Sequence, residues 1–253
     1  HRALFVKTHA RAPAGMFGRE AEGLLWLAEA NAVRIAQVVA VSDGEAGNPD
    51  APAFLALEWI ESAAQARDHD EHLGRGLAAL HRRAAQAFGF PVTTYCGSTP
   101  QDNGSSTSWA EFYAERRLRP LVRRLTEAGG LSSAEGHLFD RVCERLPGLV
   151  ADGAPPALIH GDLWSGNVLA STGGPALVDP ACTYADRELE FGITTLFGGF
   201  AERLFAAYEE AWPLPAGWRE RNPLYQAYHL LNHHLIFGGH YGAAAVAAAR
   251  RYV

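Results

Sequence analysis

The sequence predicts an α+β chain of two unequal lobes around a shared cleft, and three features carry that expectation. The first sixty residues alternate short β-type runs with one amphipathic helix, and the remainder is predominantly helical. Between residues 157 and 179 the helical pattern gives way to a short apolar run, a polar loop and a hairpin. The chain has 253 residues, enough for two such lobes. Residues 1–60 are expected to form the small sheet-rich lobe and 61–253 the larger helical one.

Leu4-Phe5-Val6-Lys7 reads as a first strand, followed by a loop-like stretch with Pro13, Gly15 and Gly18. Glu20 to Ala30 carries Leu24, Leu25 and Leu27 and reads as a helix. Val38 to Val41 and Phe54 to Glu58 read as a strand pair joined by a long, turn-rich loop from Ser42 to Pro52. After Ile60, Leu73, Leu77 and Leu80 sit at helical spacing. Ser108-x-x-Glu111 and Ser132-x-x-Glu135 are capping-box patterns that open two more helices, the first bent or interrupted near Pro120. Tyr225 to Phe237 and Ala243 to Tyr252 close the chain as helices.

Composition narrows the function. Twenty-eight acidic residues against twenty-two basic ones give a net charge of −6, so nucleic acid gains no broad attraction. No apolar run approaches a membrane span, and no basic-then-apolar leader opens the chain. Cys96, Cys143 and Cys182 are widely spaced and odd in number, which suits small core residues in a reducing cytoplasm. Lys7 is the only lysine in a chain that otherwise uses arginine, and that marks its ammonium for attention.

The chemistry concentrates in His160-Gly161-Asp162-Leu163-Trp164-Ser165-Gly166-Asn167, with Asp179-Pro180-Ala181 beyond a predicted hairpin. The octet matches the kinase catalytic-loop pattern H-R-D-L-x-x-x-N with Gly for Arg, and Asp179 falls where the Asp of D-F-G would fall. Two strands joined by a turn put Asn167 and Asp179 at one end of the hairpin. Phosphoryl transfer needs a carboxylate beside the attacking hydroxyl, hard oxygen ligands for magnesium, and a cation on the remaining phosphates. Asp162 supplies the first, and Asn167 with Asp179 the second. Turn residues alone would not explain His, Asp, Trp, Asn and a later Asp in this order.

The Leu-Trp-Ser-Gly continuation resembles the fructosamine (ketosamine-3-) kinase family; aminoglycoside and choline phosphotransferases share only the flanking elements. Phe5-Val6-Lys7, Phe88-Gly89-Phe90, Asp186-Arg187-Glu188, Leu196 to Phe200 and Leu231-Asn232-His233 extend the likeness along nearly the whole chain. The resemblance implies a protein-kinase-like two-lobe fold using ATP and Mg2+ to phosphorylate the sugar 3-hydroxyl of ketosamines, leading to deglycation. It implies Asp162 as base, Asn167 and Asp179 on magnesium, and Lys7 on the α- and β-phosphates, paired with Glu20 or, failing that, Glu22. Glu58-Trp59-Ile60 resembles the hinge whose backbone binds adenine. Trp164 and His160 are candidates for substrate contact. Only six residues precede Lys7, so the small lobe is expected to lack the glycine-rich phosphate loop.

Two alternatives remain at this point: an aminoglycoside- or choline-type phosphotransferase, and a kinase-like binding protein that performs no transfer. His229 and His233, four apart on one predicted helix, could bind zinc. No Glu lies between them in the H-E-x-x-H manner and no third ligand is near in sequence, so they read as packing residues.

Overall fold

The computed structural model describes residues 3–45, 48–151 and 153–253. Strand β1 (Leu4–Thr8) pairs antiparallel with β4 (Asn48–Glu58), which pairs on its other side with β3 (Val38–Glu45). Lys7 lies opposite Leu55 in this register. Helix α1 (Met16–Glu29) packs on the sheet through Phe17, Ala21, Leu24 and Leu27, an i, i+4, i+7 stripe. Glu20 lies on that same stripe, because it sits three residues after Phe17 and four before Leu24. The β3–β4 strands run further than the sequence predicts, through most of the expected Ser42–Pro52 loop; residues 46 and 47 at its centre lie outside the described residues. Ladder pairing as far as Glu45 with Asn48 overrides the turn-forming composition there.

The larger part is helical. Helix α2 (His69–His81) packs against α7 (Glu202–Ala211), while α8 (Trp218–Phe237) lies against α6 (Glu188–Leu196), α9 (Tyr241–Ala249) and α4 (Arg119–Glu127). Both predicted caps form: Ser108 Oγ accepts from the Glu111 amide, and Ser132 with Glu135 makes the reciprocal capping box that opens α5 (Ser133–Arg145). The expected interruption near Pro120 takes a specific form. A short helix α3 (Trp109–Phe112) passes into a π-helical segment, Tyr113–Leu118, just before the proline, which has no amide hydrogen for the regular ladder. Helix α8 begins seven residues earlier than predicted and continues through Pro223. Trp218 is buried against Phe205 and Phe191, and that packing holds the first turns despite the proline.

Small sheets link the two parts. Hairpin strands β8 (Val168–Ser171) and β9 (Gly174–Leu177) are joined on the β9 edge by β2 (Arg34–Ile35), so residues 34–35 and the hairpin share one sheet. Strands β7 (Ala157–Ile159) and β10 (Thr183–Ala185) pair antiparallel behind the polar loop. A further hairpin, β5 (Thr94–Cys96) with β6 (Thr99–Gln101), lies at the cleft wall. No helix among the described residues is long and apolar enough to cross a membrane, and the three cysteines are free and buried.

Candidate active site

The loop from His160 to Asn167 is held from beneath by one buried carboxylate. Glu190, on α6, accepts the His160 amide at 2.6 Å and the Gly161 amide at 2.9 Å. It lies 3.5 Å from Nε2 of buried His81. Burial pushes the Glu190 carboxyl up, yet His81, His160 and these amides outweigh it and hold its pKa below the usual value. Gly161 has φ +81°, and a Cβ there would stand 2.3 Å from the Ala181 carbonyl oxygen. The Gly-for-Arg departure from the kinase pattern is therefore required by this backbone.

The sequence expectation for His160 as a substrate contact meets a different geometry. Its ring is fully buried, with Nε2 2.8 Å from the Val178 carbonyl and Nδ1 accepting the Asp162 amide at 3.3 Å. Burial lowers its pKa. The residue ties the loop to the strand end before Asp179, and its imidazole does not reach the cleft.

Asp162, Asn167 and Asp179 do converge. The Asn167 amide Nδ2 donates to the Asp162 carbonyl (2.9 Å), to Asp162 Oδ2 (3.3 Å) and to the Asp179 carbonyl (3.4 Å). Those acceptors fix the amide orientation, with Nδ2 donating and Oδ1 as the atom able to act as a ligand. Asp179 occupies the left-handed region at φ +55°, unusual for a residue with a side chain, and aims its carboxylate into the cleft. Its Oδ1 accepts from Lys7 Nζ at 2.9 Å, while both Glu20 oxygens lie 2.9 Å from the same nitrogen. Glu22 turns away to pair with Arg19 at 3.1 Å. Burial lowers the Lys7 pKa, and the two carboxylates more than offset it, so the ammonium stays charged. Burial acts on Glu20 in the opposite sense, raising its carboxyl against the pull of Lys7. With two 2.9 Å contacts to the ammonium, the charged pair is the physically consistent state.

Burial first, then Glu190 and Asp179, raise the Asp162 pKa to about 7. A carboxyl so placed can take a proton near neutral pH. Lys7, Glu20, Asp162, Trp164, Asn167 and Asp179 line one cavity of about 260 Å³, walled also by Tyr95 and Met16. A second, more apolar cavity of about 420 Å³ shares Asp162 and Trp164 and is bounded by Phe197, His233, Phe237 and Tyr241. Trp164, 40% exposed, stands between the two, its ring lying where a Cβ at Gly166 would be.

Asn167 Oδ1 and the Asp179 carboxylate, in a cavity whose described lining residues include no Cys or His, suit a hard, oxygen-seeking cation such as magnesium. Neither expected hinge side chain lines the Lys7 cavity: Glu58 pairs with Arg34 at 3.1 Å and Ile60 packs into the core. The sequence reading missed Glu190 and His81. An acidic residue in an apolar run, Leu189-Glu190-Phe191, was the available signal, since a carboxylate there must be buried and paired.

A catalytic-loop carboxylate, a hairpin bringing Asn and Asp together, and a strand lysine paired with a helix glutamate define a protein-kinase-like phosphotransferase. The structure is similar to an aminoglycoside phosphotransferase at a TM-score of 0.63 and 13% identity, a likeness of fold alone. It is much closer to a crystal structure of a "putative fructosamine-3-kinase" from Thermobifida fusca, at a TM-score of 0.90 and 38% identity over 98% of this chain and 85% of that one. The family model for fructosamine kinase matches residues 1–253, and the chain belongs to that family. Among curated relatives, a "probable ketoamine kinase" of Vibrio cholerae is 37% identical over 94% of this chain and 80% of its own length. A chloroplastic protein-ribulosamine 3-kinase of rice is 36% identical over 99% and 72%.

Proposed function

We propose that the chain transfers the terminal phosphoryl group of ATP, with Mg2+, to the sugar 3-hydroxyl of ketosamines such as fructosyl- and ribulosyl-amines, initiating their deglycation. The observation that carries this reading is the meeting of Asp162, Asn167 and Asp179 on one cavity with the Lys7–Glu20 pair at its side. Magnesium held in the cleft would supply positive charge to offset that of the phosphates. Asn167 Oδ1 and the Asp179 carboxylate are the groups to hold it. Lys7 would neutralise the non-transferred phosphates while Glu20 keeps its ammonium oriented. Asp162 accepts the hydroxyl proton as the alcohol oxygen attacks. The backbone of residues 58–60 is left as the adenine contact, which fits a boundary between lobes at residues 60 and 61.

The aromatic cavity beyond Asp162 supports a sugar-amine acceptor over an aminoglycoside. Among the described residues lining it, Asp162 is the only carboxylate, whereas a ligand with several ammonium groups calls for several. Trp164 forms the wall on which the sugar or its amine carrier rests. Free buried cysteines favour a reducing compartment, the cytoplasm in a bacterium.

The test is phosphorylation of synthetic fructosyl- and ribulosyl-lysine by the full-length protein, followed by mass spectrometry and by loss of the sugar. Asp162→Ala is expected to lower turnover by about 10² or more. Turnover of choline or an aminoglycoside without ketosamine turnover would replace this reading, as would magnesium-dependent ATP binding without transfer.

A further inference from the structure

We propose that Cys96, Asp162 and His229 form a binding site for one borderline transition-metal ion, zinc(II) by preference, and that its occupation withdraws Asp162 from phosphoryl transfer. The site lies where the aromatic cavity meets the catalytic loop. The second half of the proposal rests on reading Asp162 as the base; the first half does not.

Three separate elements bring the donors together. Cys96 ends β5, His229 lies mid-way along α8, and Asp162 comes from the catalytic loop; one ligand atom from each lies within 4.8 Å of the others. A four-coordinate zinc with bonds of about 2.0–2.3 Å places its donors roughly 3.5 Å apart. No pair therefore needs to close by more than about 1.3 Å, within the reach of side-chain torsions.

His229 supplies an independent indication. It is completely buried, and neither ring nitrogen has a hydrogen-bond partner. The Leu189 backbone makes only a weak hydrogen-bonding approach to the ring, short of full hydrogen-bond geometry at either nitrogen. Burial, reinforced by His233, pushes the imidazole pKa down to about 3, so the ring is neutral with a lone pair to give. A buried imidazole with no partner is costly, and a metal on one nitrogen with a backbone carbonyl facing the other is a familiar resolution. His233 takes no part: its Nδ1 lies 2.8 Å from the His229 carbonyl oxygen, the contact expected within one helix. Asn232 Oδ1, on the wall of the same cavity, is also without a partner.

Entry and balance are both accounted for. Cys96 and Asp162 line the aromatic cavity, which gives an ion a route and leaves a fourth position for water. On binding, the Cys96 S–H bond breaks, its proton passes to water, and the thiolate pair goes to the metal. Burial holds that thiol well above its ordinary pKa, so the metal itself must drive the deprotonation. A thiolate and an imidazole select zinc over magnesium, which keeps the Asn167–Asp179 pair and this trio chemically distinct.

Cobalt(II) is the probe. Titrating the metal-free, full-length protein is expected to give the intense visible bands of a four-coordinate ion and a near-ultraviolet thiolate-to-cobalt band, both erased by one equivalent of zinc. Cys96→Ser should remove the thiolate band, although Cys143 and Cys182 remain, and His229→Gln should weaken zinc by at least about 10–100-fold, the scale of losing even an outer partner. With ketosamine, ATP and excess magnesium, zinc at its site-saturating concentration should stop the native enzyme and spare Cys96→Ser. No thiolate band in the native protein overturns the site without reference to how any variant folds, and a band that persists in Cys96→Ser with native-like circular dichroism overturns it as well. Normal turnover with zinc bound overturns the withdrawal of Asp162. If zinc-free protein phosphorylated no ketosamine, the kinase reading would fall, and the cobalt spectrum would still decide the metal site.

Discussion

Replacing Asp162 by Asn is expected to make the protein more stable while lowering turnover by about 10² or more, and the size of the gain follows from the electrostatics of the cleft. The native carboxyl titrates at about 7 because burial, Glu190 and Asp179 all oppose its charge. In the unfolded chain it titrates at about 3.9, a gap of roughly three units or about 4 kcal/mol in full. The side chain is only part-buried and opens onto the cleft, so water reduces that figure; about 1–2 kcal/mol is the expected gain at pH 8. A raised native pKa means that the stabilising protonated form prevails below the unfolded value and is lost as pH rises through the native one. The advantage of Asn should therefore be largest at pH 8, shrink by about half at pH 5.5 and vanish near pH 4. Asn keeps the acceptor for the 3.3 Å contact from Asn167, so no packing change competes. Urea unfolding of both proteins at pH 8 and pH 5.5, without nucleotide or metal, reads the difference. Equal stability at pH 8, or a gain identical at both pH values, would refute the reasoning.

Three further outcomes follow from the same geometry. Lys7→Met leaves the buried Glu20 carboxylate unpaired, so it should raise the KM for ATP and destabilise more at pH 8 than at pH 5.5, where Glu20 takes up a proton; thermal melts at the two pH values test this. Gly161→Ala puts a methyl 2.3 Å from the Ala181 carbonyl at a left-handed φ and should cost about 1–3 kcal/mol, read from the urea midpoint. Glu190→Gln can accept only one of the two loop amides and should lower kcat more than it raises KM for either substrate, measured by steady-state kinetics; an unchanged kcat would show that the loop is held by other contacts.

What the sequence disclosed was the part of the site organised by local spacing. The interval from Asp162 to Asn167 and the turn before Asp179 fix a loop and a hairpin, and neither needs tertiary knowledge. That only one of Glu20 and Glu22 could face Lys7 was also legible from helix geometry, and the family resemblance, through its Met16-Phe17 start, favoured Glu20. What stayed hidden depends on burial from all sides. Helix α6 is buried along Glu188 to Thr194, so it has no polar face and no helical period to read. Glu190 travels with it unseen. Strands β5 and β10, three residues each, are too short to show alternation. His160 looked like a substrate ligand because a histidine beside a catalytic aspartate suggests chemistry, but its neighbours offer it backbone partners on both nitrogens.

Asp162 belongs to two cavities, and that placement constrains how the site can work. On one side stand Lys7, Asn167 and Asp179, a charged surface that the proposed reading gives to phosphate; on the other stand Phe197, His233, Phe237 and Tyr241, an aromatic surface that it gives to the acceptor. A hydroxyl can meet Asp162 and a phosphoryl group together only at the junction of the two, beside Trp164. The same junction places the carboxylate beside Cys96 and His229, donors that no phosphate chemistry requires. An alcohol and a borderline metal ion would therefore contend for one oxygen pair, and occupancy by either excludes the other.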